Sequence, residues 1–120
     1  MPRFAVLSHD HPFPHWDFLL EHGQTCRTWR LLKSPDSQGE IPAEALPDHR
    51  LVYLDYEGPV SGDRGTVACW DVGTFEWLVE EDAAIEVKLS GRKLNSIAKL
   101  IHKGQDSWAW NIVKSQARKV

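Results

Sequence analysis

The stretch Ala84-Ile85-Glu86-Val87-Lys88-Leu89 sets apolar Ile85, Val87 and Leu89 against charged Glu86 and Lys88 in alternation. A period of two sends successive side chains to opposite faces, so this segment is a strand buried on one side. No stretch offers the competing helical period over a useful length, and there are no internal repeats or low-complexity tracts. The chain of 120 residues must therefore build its core from strands and turns, as a single domain over residues 1–120. A chain of this size buries roughly two-thirds of its unfolded surface, enough for a core without staples. Six tryptophans, four phenylalanines and two tyrosines supply the bulk.

Glycine, proline and polar clusters divide the remainder into short runs. Strands are predicted at Arg3–Ser8, His15–Glu21 and Thr25–Lys33, with a proline-broken loop at Asp10–Pro14 and a turn at His22-Gly23-Gln24. After the polar turn Ser34–Gly39, Pro42–Leu46 reads as one helical turn, and Asp48–Tyr56 is ambiguous. Gly58–Gly65 is a loop. Thr66–Asp71 and Thr74–Val79 form a hairpin around Val72-Gly73, and Glu80–Ala83 is a second short helical turn. Ser90-Gly91-Arg92 turns the chain into Leu94–His102. Lys103–Asp106 is a hairpin loop, Trp108–Lys114 the closing strand, and the basic tail after Ser115 frays. About eight short strands joined by hairpins imply a mainly β fold, a compact antiparallel barrel or sandwich.

Chemistry concentrates between His9 and Asp17, where three of the six histidines fall among two aspartates, two prolines and two aromatics. In an extended His15-Trp16-Asp17, the histidine and the aspartate share a face. An imidazole beside a carboxylate suits a divalent metal, and His9 arriving from a neighbouring strand completes a set of two histidines and one carboxylate. Such a set also suits Fe²⁺, so a small non-haem iron enzyme stays open. His11 belongs at a pocket rim, His22 and His102 in solvent, and Trp29, Trp70 and Trp108 in the core.

The net charge of −3 excludes a long basic groove tracking many phosphates, but not contact with one or two at a metal centre. Cys26 and Cys69 stand apart in no metal-binding spacing, which predicts reduced, partly buried thiols and a cytoplasmic protein. The apolar run near the N-terminus is too short for a signal peptide, and no segment approaches a membrane span.

Several motifs occur in order: His9-Asp10, His15-Trp16-Asp17-Phe18 with Glu21, Trp29, then Lys33-Ser34-Pro35. Asp48-His49, Tyr53, Asp55-Tyr56-Glu57-Gly58, Gly65-Thr66-Val67, Trp70-Asp71 and Gly73-Thr74-Phe75-Glu76 follow. Lys88-Leu89-Ser90-Gly91 and Trp110-Asn111-Ile112-Val113-Lys114 complete the series. Together they resemble the 3′-phosphoesterase domain family of bacterial DNA ligase D over nearly the whole chain. The resemblance implies a compact β-barrel with one or two short flanking helices. It also implies a Mn²⁺-dependent hydrolase of DNA repair by non-homologous end joining, with Zn²⁺ or Co²⁺ as other metals. Such an enzyme removes a 3′-terminal ribonucleoside and then the 3′-phosphate from DNA or RNA/DNA primer 3′ ends, beside a separate DNA ligase or polymerase.

Position by position, the resemblance implies His9, His15 and Asp17 as metal ligands, His49 and Tyr53 as catalytic residues, and Lys33 as a contact to the substrate phosphate. Two places depart from the family. Its arginine two residues beyond the ligand aspartate is Leu19 here, and a second falls near Ile41. Arg30, Arg50 or Arg64 would then supply the charge. The alternative is a module of the same fold that binds a DNA end or a repair partner with weakened or no catalysis.

Overall fold

A computed structural model describes residues 1–114. Its strands are β1 (Arg3–His9), β2 (His15–His22), β3 (Thr25–Leu31), β4 (Ile41–Arg50), β5 (Gly58–Pro59), β6 (Thr66–Glu80), β7 (Ala84–Gly91), β8 (Ser96–Gly104) and β9 (Ser107–Lys114). Neighbours run β1-β2-β3-β4-β9-β8-β7-β6, and β6 pairs back onto β1, so eight antiparallel strands close into a barrel. The two residues of β5 add to β6. The predicted mainly β barrel is therefore the fold. Among the described residues the one helix is a 3-10 turn, Leu51–Leu54, and no helix is long and apolar enough to cross a membrane.

Closure depends on β6, where the structure corrects the expected hairpin. Thr66–Glu80 is one strand of 15 residues without a turn. Its first half, Val67 to Thr74, pairs with β1, and its second half, from Gly73, pairs with β7. Gly73 belongs to both ladders. A Cβ there would lie 2.1 Å from the Ser90 carbonyl oxygen and 2.7 Å from Gly91 Cα. The glycine that looks like a turn signal is instead a place of close backbone approach.

A second correction concerns Pro42–Leu46, which is strand, not helical turn. β4 pairs with β9 over Ile41–Glu44 and with β3 over Ala43–Arg50. The helix-favouring run Ala-Glu-Ala-Leu yields to pairing on both sides, and Ile41 and Ala43 are buried in the barrel. Glu80–Ala83 is likewise no helix; the Glu81 N–H donates to the Ala84 carbonyl across a tight bend (2.9 Å). Smaller shifts occur at ends. β3 stops at Leu31. β8 starts at Ser96, because the Gly91 N–H donates to the Leu94 carbonyl (2.8 Å) and keeps Leu94 in the preceding turn. β8 continues to Gly104, leaving only Gln105 and Asp106 as the loop before β9. The basic tail after Ser115 lies outside the described residues.

Two apolar clusters sit on opposite faces of the wall. The barrel interior draws Phe4 and Val6 from β1, Phe18 from β2, Trp29 from β3 and Trp110 from β9, with Phe75, Val87 and Leu100 facing them. Alternation turns Ala5 and Leu7 of β1, Leu19 of β2 and Cys26 of β3 outward, where Leu54 of the 3-10 turn covers them together with Val67. The chain from Leu51 to Val67 therefore roofs the outer wall of β1, β2 and β3, and the candidate site lies under that roof.

Asp71 is the polar anchor of the closed end. It is 1% exposed. Its Oδ1 accepts the N–H groups of Val72 (2.9 Å), Arg92 (2.8 Å) and Lys93 (3.1 Å), and its Oδ2 that of Leu94 (2.8 Å). One carboxylate thus ties the β7–β8 turn to β6. Asp71→Ala leaves these buried donors without an acceptor and should lower the unfolding free energy by about 3 kcal/mol or more. Asp71→Asn, which keeps one accepting oxygen, should lose less. Urea denaturation followed by tryptophan fluorescence reads both, and a loss under about 1 kcal/mol for Asp71→Ala would refute the anchoring role.

Candidate metal centre and its pocket

β1 and β2 form a hairpin in which His9 lies directly across from His15. His15 and Asp17, two residues apart, emerge on the outer face, and both are almost fully buried. One ligand atom from each of His9, His15 and Asp17 lies within 4.8 Å of the others. The period-two expectation for His15 and Asp17 holds in the geometry, and the neighbouring strand delivers His9.

The protons on the two rings are assigned by their other partners. His15 Nδ1 is 2.8 Å from the Phe13 carbonyl oxygen, and His9 Nε2 is 2.8 Å from that of Arg64. A carbonyl oxygen only accepts, so each of these nitrogens carries a proton and donates it. In the neutral rings the lone pairs then belong to His15 Nε2 and His9 Nδ1. These face Asp17 Oδ1 and Oδ2, each at 3.0 Å. Two acceptors at that distance repel, and both His15 Nε2 and Asp17 Oδ1 are buried without a hydrogen-bond partner. Burial pushes the Asp17 carboxyl up, but the neighbouring His15 and then His9 rings outweigh it and hold the group below its usual range. Two nitrogen lone pairs and a carboxylate oxygen, with both rings oriented from behind by carbonyls, fit a divalent metal ion.

The support behind His9 comes from a distant loop. Asp10 Oδ1 accepts the Thr66 N–H (2.8 Å), which seats the Arg64-Gly65 turn against the hairpin. Gly65 adopts φ +81°, and a Cβ there would lie 2.2 Å from Asp10 Oδ1 and 2.6 Å from His11 Cβ. Only glycine lets the Arg64 carbonyl come this close to His9.

A pocket of about 480 Å³ opens over the trio. His49 and Tyr53 line it together with His9, His15 and Asp17, so five residues from two separated segments meet there. The His49 Nδ1–H donates to the Pro47 carbonyl (3.0 Å), leaving Nε2 as its other polar atom. The ring packs edge-on to Tyr53 with centroids 5.8 Å apart. His11 sits at the exposed rim, as expected. Arg30, Arg50 and Arg64 all line the pocket. Lys33 does not; it is exposed on the segment after β3. Leu19, two residues past Asp17 on the same face, is fully buried among Ala5, Leu7, Cys26, Leu54 and Val67. It does not line the pocket. The carbonyls of Phe13 and Arg64 and the loop anchor Asp10 carry no side-chain signature of their role; only the adjacency of Asp10 to His9 hints at it.

The family model for the DNA ligase D 3′-phosphoesterase domain matches residues 7–102. The chain belongs to that family. It is 32% identical over 127 residues to the multifunctional non-homologous end joining protein LigD of Pseudomonas aeruginosa, covering 95% of this chain and 15% of that protein. The LigD protein of Mycobacterium bovis is 29% identical over 122 residues, covering 94% of this chain and 16% of its own length. The chain thus spans about a sixth of these curated relatives.

Two measurements check this architecture. Gly65→Ala should weaken Mn²⁺ affinity about tenfold or more by withdrawing the carbonyl behind His9, in a protein whose far-ultraviolet circular dichroism is unchanged. Equal affinity, read by Mn²⁺ electron paramagnetic resonance, would show that His9 needs no such support. Below the pocket floor, burial first, and then the Glu21 and Asp48 carboxylates, push the Cys26 thiol up to about 11 from 9.0. The folded state favours the neutral thiol. Its contribution is therefore complete below about 9 and is lost as pH rises toward 11. Exposed Cys69 should react with a thiol reagent at pH 8 in the native protein, and Cys26 only after unfolding.

Proposed function

We propose that this domain is a metal-dependent 3′-end-processing phosphoesterase, using Mn²⁺ or a similar divalent ion on DNA or primer 3′ ends. One observation carries the reading. Two imidazole lone pairs face one buried carboxylate, within a pocket that also holds His49 and Tyr53. Membership of a family described as a 3′-phosphoesterase domain names the chemistry such a pocket serves. The relatives' printed role in non-homologous end joining suggests double-strand-break repair as the setting, with a DNA ligase or polymerase acting on the finished end. Free Cys26 and Cys69 agree with a reducing, cytoplasmic setting.

His9, His15 and Asp17 would hold the metal, which supplies charge neutralisation at the phosphoryl oxygens and a Lewis-acidic position for an attacking oxygen. The chain's own residues do the rest. The His49 Nδ1–H···O=C Pro47 hydrogen bond orients the ring, so that in its charged form Nε2–H can give a proton to the departing oxygen. The Tyr53 hydroxyl, held by the His49 and Tyr56 rings, is a neutral donor to a phosphoryl oxygen. Leu7, Val60 and Val67 on the pocket wall exclude water, which strengthens each of these contacts.

Leu19 favours a second reading, a module that binds ends without cleaving them, because leucine gives no donor where the family carries an arginine. Release of phosphate from a 3′-phosphorylated oligonucleotide with Mn²⁺, and of a nucleoside from a 3′-ribonucleotide end, separates the two. His15→Ala should abolish both Mn²⁺ binding and release. His49→Ala should keep Mn²⁺ affinity and lower turnover about 100-fold or more. Full Mn²⁺ affinity in His15→Ala would place the metal elsewhere. Binding of ends with no release by the wild type would establish the second reading.

A further inference from the structure

We infer that Arg30 is the residue that grips the terminal phosphate in this pocket, with Glu44 and Phe13 holding its guanidinium in place. The inference rests on the phosphoesterase reading for the identity of the anion. In register, Arg30 of β3 lies across from Asp17 of β2 on one side and Glu44 of β4 on the other. Residues directly opposite in a ladder share a face, so the Arg30 side chain rises from the outer wall beside the metal trio. It lines the pocket.

The condition of this arginine sets it apart from the other two. Its side chain is 23% exposed, and its one ionic contact among the described residues is Nη1 to Glu44 Oε1 at 3.3 Å, a long pair with a half-exposed partner. Nε is shielded from solvent with no hydrogen-bond partner among the described residues. The guanidinium carbon lies 5.5 Å from the centroid of Phe13, whose carbonyl orients His15 and whose ring packs edge-on to it. Nε is closed off from the pocket as well, so the terminal Nη1 and Nη2 groups are the donors that an anion there can reach, and they hold a single ion pair among the described residues. A phosphate matches the planar fork in two parallel bonds.

The bland alternative is an inter-strand ion pair with Glu44. A pair of that length and exposure contributes little, and it occupies one of the two terminal nitrogens. The remaining pocket arginines are less suited. Arg64 spends Nε and Nη2 on Ser61, and exposed Arg50 lies over the Tyr53 ring at 5.8 Å.

The test is calorimetric titration of inorganic phosphate into the full chain with Mn²⁺ present, alongside Mn²⁺ affinity by electron paramagnetic resonance. Arg30→Gln should weaken phosphate about tenfold or more with Mn²⁺ affinity unchanged. Arg30→Lys, which keeps the charge and can keep the Glu44 pair, should recover only part of the loss and covers the case of a poorly folded glutamine variant. Equal phosphate affinity in wild type and a folded Arg30→Gln overturns the proposal, as does a wild type that binds no phosphate. Phosphate held through Arg30 in a protein that releases nothing from 3′-phosphorylated ends would leave this assignment standing and remove the hydrolytic reading.

Discussion

A carbonyl oxygen can accept a hydrogen bond and never give one, and two carbonyls set which ring nitrogens turn inward at the candidate site. Phe13 and Arg64 each take the outward proton of a histidine, so the inward nitrogens of His15 and His9 both face the carboxylate of Asp17 as lone pairs. Had either ring met a donor instead, its inward nitrogen would carry a proton and the trio would be an ordinary buried hydrogen-bond cluster. The same three side chains are metal ligands or structural filler according to what stands behind them.

What stands behind them depends on how the barrel closes. Arg64 precedes β6, which runs along β1 from Val67 opposite His9 to Thr74 opposite Arg3, with a register shift between Val6 and Leu7, before passing to β7. Strand closure therefore brings the Arg64-Gly65 turn to the end of β1, where Asp10 seats it. The interior is filled by large aromatics, Phe18 on Trp110 and Trp29 on Trp108, which leaves no room for a site inside. The pocket is built on the outer wall, under residues 51–67, with the rigid ladder beneath it. Ligands from adjacent strands on such a wall keep their spacing, because each is tied to the ladder on both sides.

How much of this was legible follows from the range of each interaction. His15 and Asp17 share a strand, so their common face was readable from a period of two. The strand character of β7 was readable for the same reason. Thr66–Asp71 and Thr74–Val79 read as a hairpin because Val72-Gly73 is locally indistinguishable from a turn. What keeps the strand straight is β7 approaching Gly73, contact with a segment 17 residues away at Ser90. Pro42–Leu46 was misread for a related reason: local propensity favours a helix, and two distant strands override it. The motif series foretold that His49 and Tyr53 would meet the trio, which no periodicity could. Lys33 is not among the residues lining the pocket: β3 ends at Leu31, and Lys33 stands exposed in the segment that follows.

Overall charge was a poor guide to the site, and the reason is geometric. The chain as a whole carries −3, yet Arg30, Arg50 and Arg64 line a pocket whose carboxylates are Asp17 and Asp48. Acidic groups such as Glu80, Glu81 and Asp82 gather around a different depression, with His22 and Arg27. Asp48 lines both depressions, and on the pocket's side of it stand the three arginines. A net charge of −3 suits a chain poorly to tracking a duplex, and the three arginines gathered at one pocket offer a point contact for an anion instead. With leucine at position 19, the positive charge of the pocket stands on Arg30, Arg50 and Arg64, each delivered by a different segment of the chain.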